Sequence, residues 1–146
     1  ATKIHCLSYT SNGKDFKSLT DYNDMRDLLL NENVLVGHNI TRYDIPLLNK
    51  LLGIKIKAKL YDTLAMSWVI NTDRPKHGLE SFGEDFGIPK PVVTDWESQD
   101  IQVYIHRCEE DVKINCILDT CRLKCSVLLR LSFMVGNLTK ILHKIV

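Results

Sequence analysis

The sequence predicts a mixed α/β layer fold, and three features predict it. An Asn-Gly turn at Ser11-Asn12-Gly13-Lys14 joins two short apolar stretches. Twice afterwards a short apolar run passes directly into helical periodicity, at Val34–Leu52 and at Ile54–Ile70. A long late stretch then places Ile101, Tyr104, Ile105, Cys108, Val112, Asn115 and Cys116 on one helical face. A hairpin followed by strands joined through helices implies a sheet of mixed direction covered by helices.

Taken in order, Lys3–Tyr9 alternates as a strand, and Phe16–Leu19 is its short return. Thr20 stands where a helix cap is expected, ahead of Met25, Leu28 and Leu29. Val34–Val36 reads as a buried strand, followed by a sharp turn at Gly37, then His38-Asn39, then a helix. Asp44 suits the N-cap of that helix and Pro46 its first turn. Ile54–Tyr61 alternates apolar residues with lysines and predicts a strand with one wet, basic face, which Asp62-Thr63 turns into the helix LAMSWVI. A polar loop, a short amphipathic helix at LESFGEDFG and a proline-bounded loop at Ile88–Pro91 follow. Ser98 is the expected start of the last long helix, and residues 119–146 the expected helical tail, broken at Gly136-Asn137. There is no repeat or linker, so 1–146 is expected to be a single domain.

The chain has 146 residues, 45% of them hydrophobic and 25% charged, enough for one domain with a real core. A formal net charge of +1 gives no global signal for nucleic acid, so any such contact must come from a local patch. The five cysteines lack CxxC spacing and read as small apolar residues of a reduced, cytoplasmic protein. No apolar run reaches the length of a membrane span, and no signal peptide is visible, so no membrane is expected.

Two carboxylates stand out by position. Asp44 falls where a buried strand gives way to a helix, a place where α/β folds present chemistry; its plain alternative is a helix cap. Asp111 lies in HRCEEDV on the last helix, and its alternative is a solvated acidic cluster with Glu109 and Glu110.

Four stretches resemble one family in order and spacing. HNITRYD resembles the second motif of the DEDD (DnaQ-like) 3′–5′ exonucleases, an Asn followed closely by Tyr-Asp. YDTLAMSWVI resembles the Asp-Thr-Leu segment after a strand, and HGLESFGEDFG the His-x-Leu-Glu-x-x-Gly helix opening. HRCEEDV matches a His-x4-Asp third motif at His106 and Asp111. It also matches a Tyr-Cys-x-x-Asp-Val form at Cys108, Asp111 and Val112, with Arg107 in the place of Tyr. The resemblance covers about residues 3–118 and is nearest to the proofreading exonuclease domain of phage family A DNA polymerases.

That resemblance implies an RNase H-like mixed sheet flanked by helices. It implies hydrolysis of single-stranded DNA from the 3′ end, with a DNA polymerase domain as a partner. It implies two divalent ions, Mg²⁺ or Mn²⁺, held by four carboxylates, of which Asp44 and Asp111 would be two. His38, Asn39 and Tyr43 would contact nucleic acid, although Tyr43 also fits core packing and Asn39 a turn. His106 would be the general base if the helix began after it. A continuous helix, which the periodicity favours, sets a residue five positions away off the Asp111 face and brings Arg107 beside it. His106 is then a surface histidine. The RNA-directed exoribonucleases of the same family are an alternative reading.

The chain departs from the family at the first motif. No Asp-x-Glu precedes Lys3; the one literal match, Asp95-Trp96-Glu97, falls in a loop. The first, central strand of the implied sheet is therefore expected to be missing, leaving open inner edges on Lys3–Tyr9 and Val34–Val36. The gap is expected to be closed by a shifted strand, a rearranged sheet or a strand-swapped homodimer. With it go two of the four ligands, which makes a catalytically inactive nucleic-acid-binding or structural module the third reading.

Overall fold

The computed structural model describes residues 2–88, 100–128 and 139–145. The elements are β1 (Cys6–Thr10), β2 (Lys17–Leu19), α1 (Tyr22–Asn31), β3 (Val34–Gly37), α2 (Ile45–Leu52), β4 (Lys59–Asp62), α3 (Thr63–Ile70), α4 (Leu79–Phe86), α5 (Ile101–Leu128) and β5 (Thr139–Ile145). They form a five-stranded mixed sheet in the order β2-β1-β5-β3-β4, covered by helices.

β1 and β2 make the expected hairpin, with Leu7 opposite Leu19 and Tyr9 opposite Lys17. Its turn is set by Asn12, whose Oδ1 accepts from the amides of Lys14 at 2.9 Å and Asp15 at 2.8 Å. β3 and β4 are parallel, with Gly37 opposite Asp62 at their C-terminal ends. Between the two pairs lies β5, antiparallel to β1 and parallel to β3.

Both faces of the sheet are covered. Neighbouring strand residues point to opposite faces, and Cys6 and Leu7 show what covers each. Leu7 joins Met25 and Leu29 of α1 and Leu48 and Leu52 of α2 in the larger core. Cys6 packs with Tyr104 and Cys108 of α5. α5 also packs on β5 and β3, and carries α4 through Phe82, Ile114 and Leu118. Gly83 allows that approach: a Cβ there would stand 2.5 Å from the Ile88 carbonyl oxygen and 3.0 Å from Ile114 Cδ1.

Several expected boundaries move. β1 begins at Cys6 rather than Lys3 and is buried at Cys6, Leu7 and Ser8 in succession, because helices cover both its faces. The cap of α1 is Asp21, not Thr20; its Oδ1 takes the amides of Asn23 at 2.7 Å and Asp24 at 3.2 Å. β4 is confined to Lys59–Asp62. Residues 54–58 lie outside the ladder but still alternate, with Ile54, Ile56 and Ala58 on the core and Lys55 and Lys57 exposed.

The largest correction concerns 119–146. α5 continues to Leu128, but Thr139–Ile145 is a strand in the middle of the sheet, not part of a helical tail. TKILHKI is short enough to satisfy either periodicity. Two open inner edges decide for the strand, because buried backbone groups must be paired. The gap expected beside β1 and β3 is thus closed within the chain. Ser98, Asp95-Trp96-Glu97, most of the proline-bounded loop and Gly136-Asn137 lie outside the described residues.

Candidate functional site

The C-terminal ends of β3 and β4 converge with α3 and α5, and a polar network fills the junction. β3 ends at Gly37, where a Cβ would stand 2.9 Å from Ile40 Cδ1 and 3.0 Å from Ile40 Cβ, so Ile40 packs closely over the bare backbone. Asn39 follows in the left-handed region with φ of 58°, a conformation that Asn tolerates. One π-helical turn, Ile40–Asp44, then leads into α2.

Asp62 holds this turn in place. Its Oδ1 accepts from the Asn39 amide at 2.9 Å, and its Oδ2 from the Thr41 amide at 3.2 Å and hydroxyl at 2.6 Å. The same carboxylate caps α3 through the amides of Leu64 at 3.1 Å and Ala65 at 3.4 Å. Burial alone would raise its pKa. The bonds from Thr41, Asn39 and Ala65 outweigh that and hold it below the usual 3.8.

Beside it, Thr63 joins three elements. Its hydroxyl donates to Asn115 Oδ1 on α5 at 2.9 Å, with the Gly37 carbonyl at 3.4 Å as a second acceptor. The hydroxyl also hydrogen-bonds with His38 Nδ1, 3.0 Å away. The ring lies edge-on to Phe82, centroids 6.5 Å apart. Asn115 is 0% exposed, and its Nδ2 has no hydrogen-bond partner among the described residues.

The expected site residues fall into three groups. His38 and Asn39 belong to this junction, and Asn39 serves it through its backbone in a turn. Asp44 is 8% exposed and makes no side-chain capping bond, so it does not act as the helix cap that its position suggested. Tyr43 beside it is 57% exposed, which rules out core packing.

The third group lies on α5. That helix runs without a break through His106, which is exposed, and Arg107, which is half-buried. The His106 role that required a helix beginning after it therefore lacks its geometry. Arg107 stands one turn before Asp111, on the same face. Asp111 is only 2% exposed. Cys108, one turn before it, packs under β1, and Asn115, one turn after it, reaches Thr63. Asp111 therefore sits above the middle of the sheet, on the helix that packs on β5.

Asp44 and Asp111 are both buried carboxylates on elements that frame the end of β3. Two divalent ions need a larger set of hard oxygen donors. Among the described residues no three His, Cys, Asp or Glu side chains are grouped to hold a metal ion. β5, in the middle of the sheet, contributes Lys140, His143 and Lys144 and no carboxylate.

The residues of this junction that stood out least in the sequence are Asp62, Thr63 and Asn115. Asp62-Thr63 had a signal, an Asp at a strand-to-helix change, but that signal reads equally as a plain cap. Asn115 had none beyond its place on the buried face.

The fold and junction define a mixed α/β domain with a polar centre at the C-terminal end of its parallel strands. Comparison with protein-family models, with curated proteins and with solved structures gives no match. Among the described residues no helix is long and apolar enough to cross a membrane.

Proposed function

We propose that this chain is a domain of the 3′–5′ exonuclease type that engages the 3′ ends of single-stranded DNA, and that with β5 central it binds them without hydrolysing them. One observation carries the reading, the sheet order β2-β1-β5-β3-β4. The RNase H-like sheet implied by the sequence resemblance has an Asp-x-Glu strand between the hairpin and the parallel pair. Here Thr139–Ile145 lies between them and brings no carboxylate. Asp44 and Asp111, both buried, would be the remaining half of a four-carboxylate set.

Tyr43 gives the binding reading its handle. It is exposed beside buried Asp44, at the end of the sheet where the polar junction lies. An aromatic ring there offers a stacking surface for a terminal base, typically about 1–3 kcal/mol per base. Anisotropy of labelled single-stranded DNA and RNA oligonucleotides, each with a free or a blocked 3′ end, tests the reading. Expected are saturable binding that favours DNA with a free 3′ end, and a Tyr43→Ala loss of roughly tenfold. Preference for RNA would move the domain to the exoribonuclease reading. Absence of binding to either would overturn the proposal.

A further inference from the structure

We propose that Lys55, Lys57 and Lys59 form a phosphate-binding stripe, which holds the backbone of a single DNA strand on its way to a 3′ end at Tyr43. This rests on the reading of the domain as one that engages single-stranded DNA ends, and it adds the path on which the strand lies.

Positive charge is concentrated here. Residues 42–61 hold five basic side chains, Arg42, Lys50, Lys55, Lys57 and Lys59, and one carboxylate, the buried Asp44. The whole chain has a formal net charge of only +1. A local excess of this kind attracts a polyanion that the overall charge does not.

The stripe is held in a row by the residues between its charges. Ile54, Ile56, Ala58 and Leu60 pack against the larger core. Lys55, Lys57 and Lys59 alternate with them and are all exposed. The charges therefore stand on backbone anchored from behind. From Lys55 to Lys59 the chain reaches at most about 14 Å, the length of about four stacked nucleotides.

The stripe leads to the candidate site. β4 is an edge strand parallel to β3, and it ends with Asp62 opposite Gly37. There Asp62 holds the Asn39–Thr41 turn, and the exposed Arg42 and Tyr43 follow on the same π-helical turn. Tyr61 continues the alternation of the lysines, with Lys59 Nζ 5.2 Å from its ring centroid. Basic and aromatic side chains thus run from Lys55 to the end of β4, the combination that tracks a single strand without reading its sequence.

Lysines on an edge strand also keep sheets from pairing edge to edge. That role is met by charge of either sign, whereas phosphate binding needs positive charge, so replacement separates the two.

The test uses the full chain and the anisotropy of labelled single-stranded DNA with a free 3′ end, titrated over a range of salt. Lys55→Gln/Lys57→Gln should weaken binding and flatten the dependence of log affinity on log salt by about 0.7 per lysine. Lys55→Glu/Lys57→Glu, which leaves the edge charged, should bind more weakly still. Lys14→Gln/Lys17→Gln removes the same charge from the β1–β2 hairpin, at the other edge of the sheet, and should leave the slope unchanged. Tyr43→Ala should weaken binding at an unchanged slope. Binding with the parent slope in the Lys55→Gln/Lys57→Gln variant, equal binding by the Gln and Glu variants, or the same flattening in the hairpin variant would overturn the stripe and leave the exonuclease-type reading standing. Absence of binding by the parent chain would overturn both.

Discussion

Asp62 does the most positional work of any single residue in the candidate site. Asp62→Ala removes a cap and the anchor of the Asn39–Thr41 turn together, and should cost about 1–2 kcal/mol at neutral pH. Its folded pKa is depressed, so its contribution is full above the unfolded value of 3.8 and fades as pH falls through the lower folded value. Denaturant titrations should therefore show the variant and the parent converging below that value. Thr63 and Asn115 should act as a pair. Thr63→Val alone should cost about 1–3 kcal/mol by stranding buried Asn115, and Thr63→Val with Asn115→Leu less than the sum of the two. Additive losses in that double-mutant cycle would show that the 2.9 Å bond carries no coupling. The sequence pointed to the Asp-Thr step and to the turn at Gly37-His38-Asn39. It could not show that Asn115, more than fifty positions later in the numbering, closes the network, because only the fold brings α5 across the end of β3.

At the scale of elements, α5 organises one face of the sheet, and Gly83 of α4 lies close to both Ile114 of α5 and the Ile88 carbonyl. Gly83→Ala places a methyl group 2.5 Å from a backbone oxygen that cannot rotate away, and overpacking of this kind costs roughly 1–3 kcal/mol. A thermal melt at least a few degrees lower is expected; an unchanged melt would mean that the Ile88 carbonyl and the Ile114 side chain move aside at no cost. His106 gives the opposite expectation. It is exposed on a continuous helix, so His106→Ala should change stability by no more than about 0.5 kcal/mol. The long helix was legible because its apolar residues repeat over many turns. Helix starts at Asp21 and strand limits at Cys6 and Lys59 were not, because caps and edges depend on neighbours beyond the local pattern. Thr139–Ile145 was the hardest case, since seven residues of mixed polarity become a strand only where two strand edges stand open.

At the scale of the whole molecule, the sheet holds two carboxylate-bearing elements around a middle strand that has no carboxylate of its own. Asp44 lies between β3 and α2, Asp111 on α5, and each is buried. On the proposed reading the domain would be silent for that reason, with the deficit in the strand between β1 and β3. The most direct measurement follows 5′-labelled single-stranded DNA with Mg²⁺ or Mn²⁺ present. It compares the 146-residue chain with the same chain carrying an added Asp-x-Glu strand ahead of Ala1. An intact label pattern is expected with the first and stepwise shortening from the 3′ end with the second. Stepwise shortening by the 146-residue chain itself would contradict it, and Asp95 and Glu97 would then be the residues to replace.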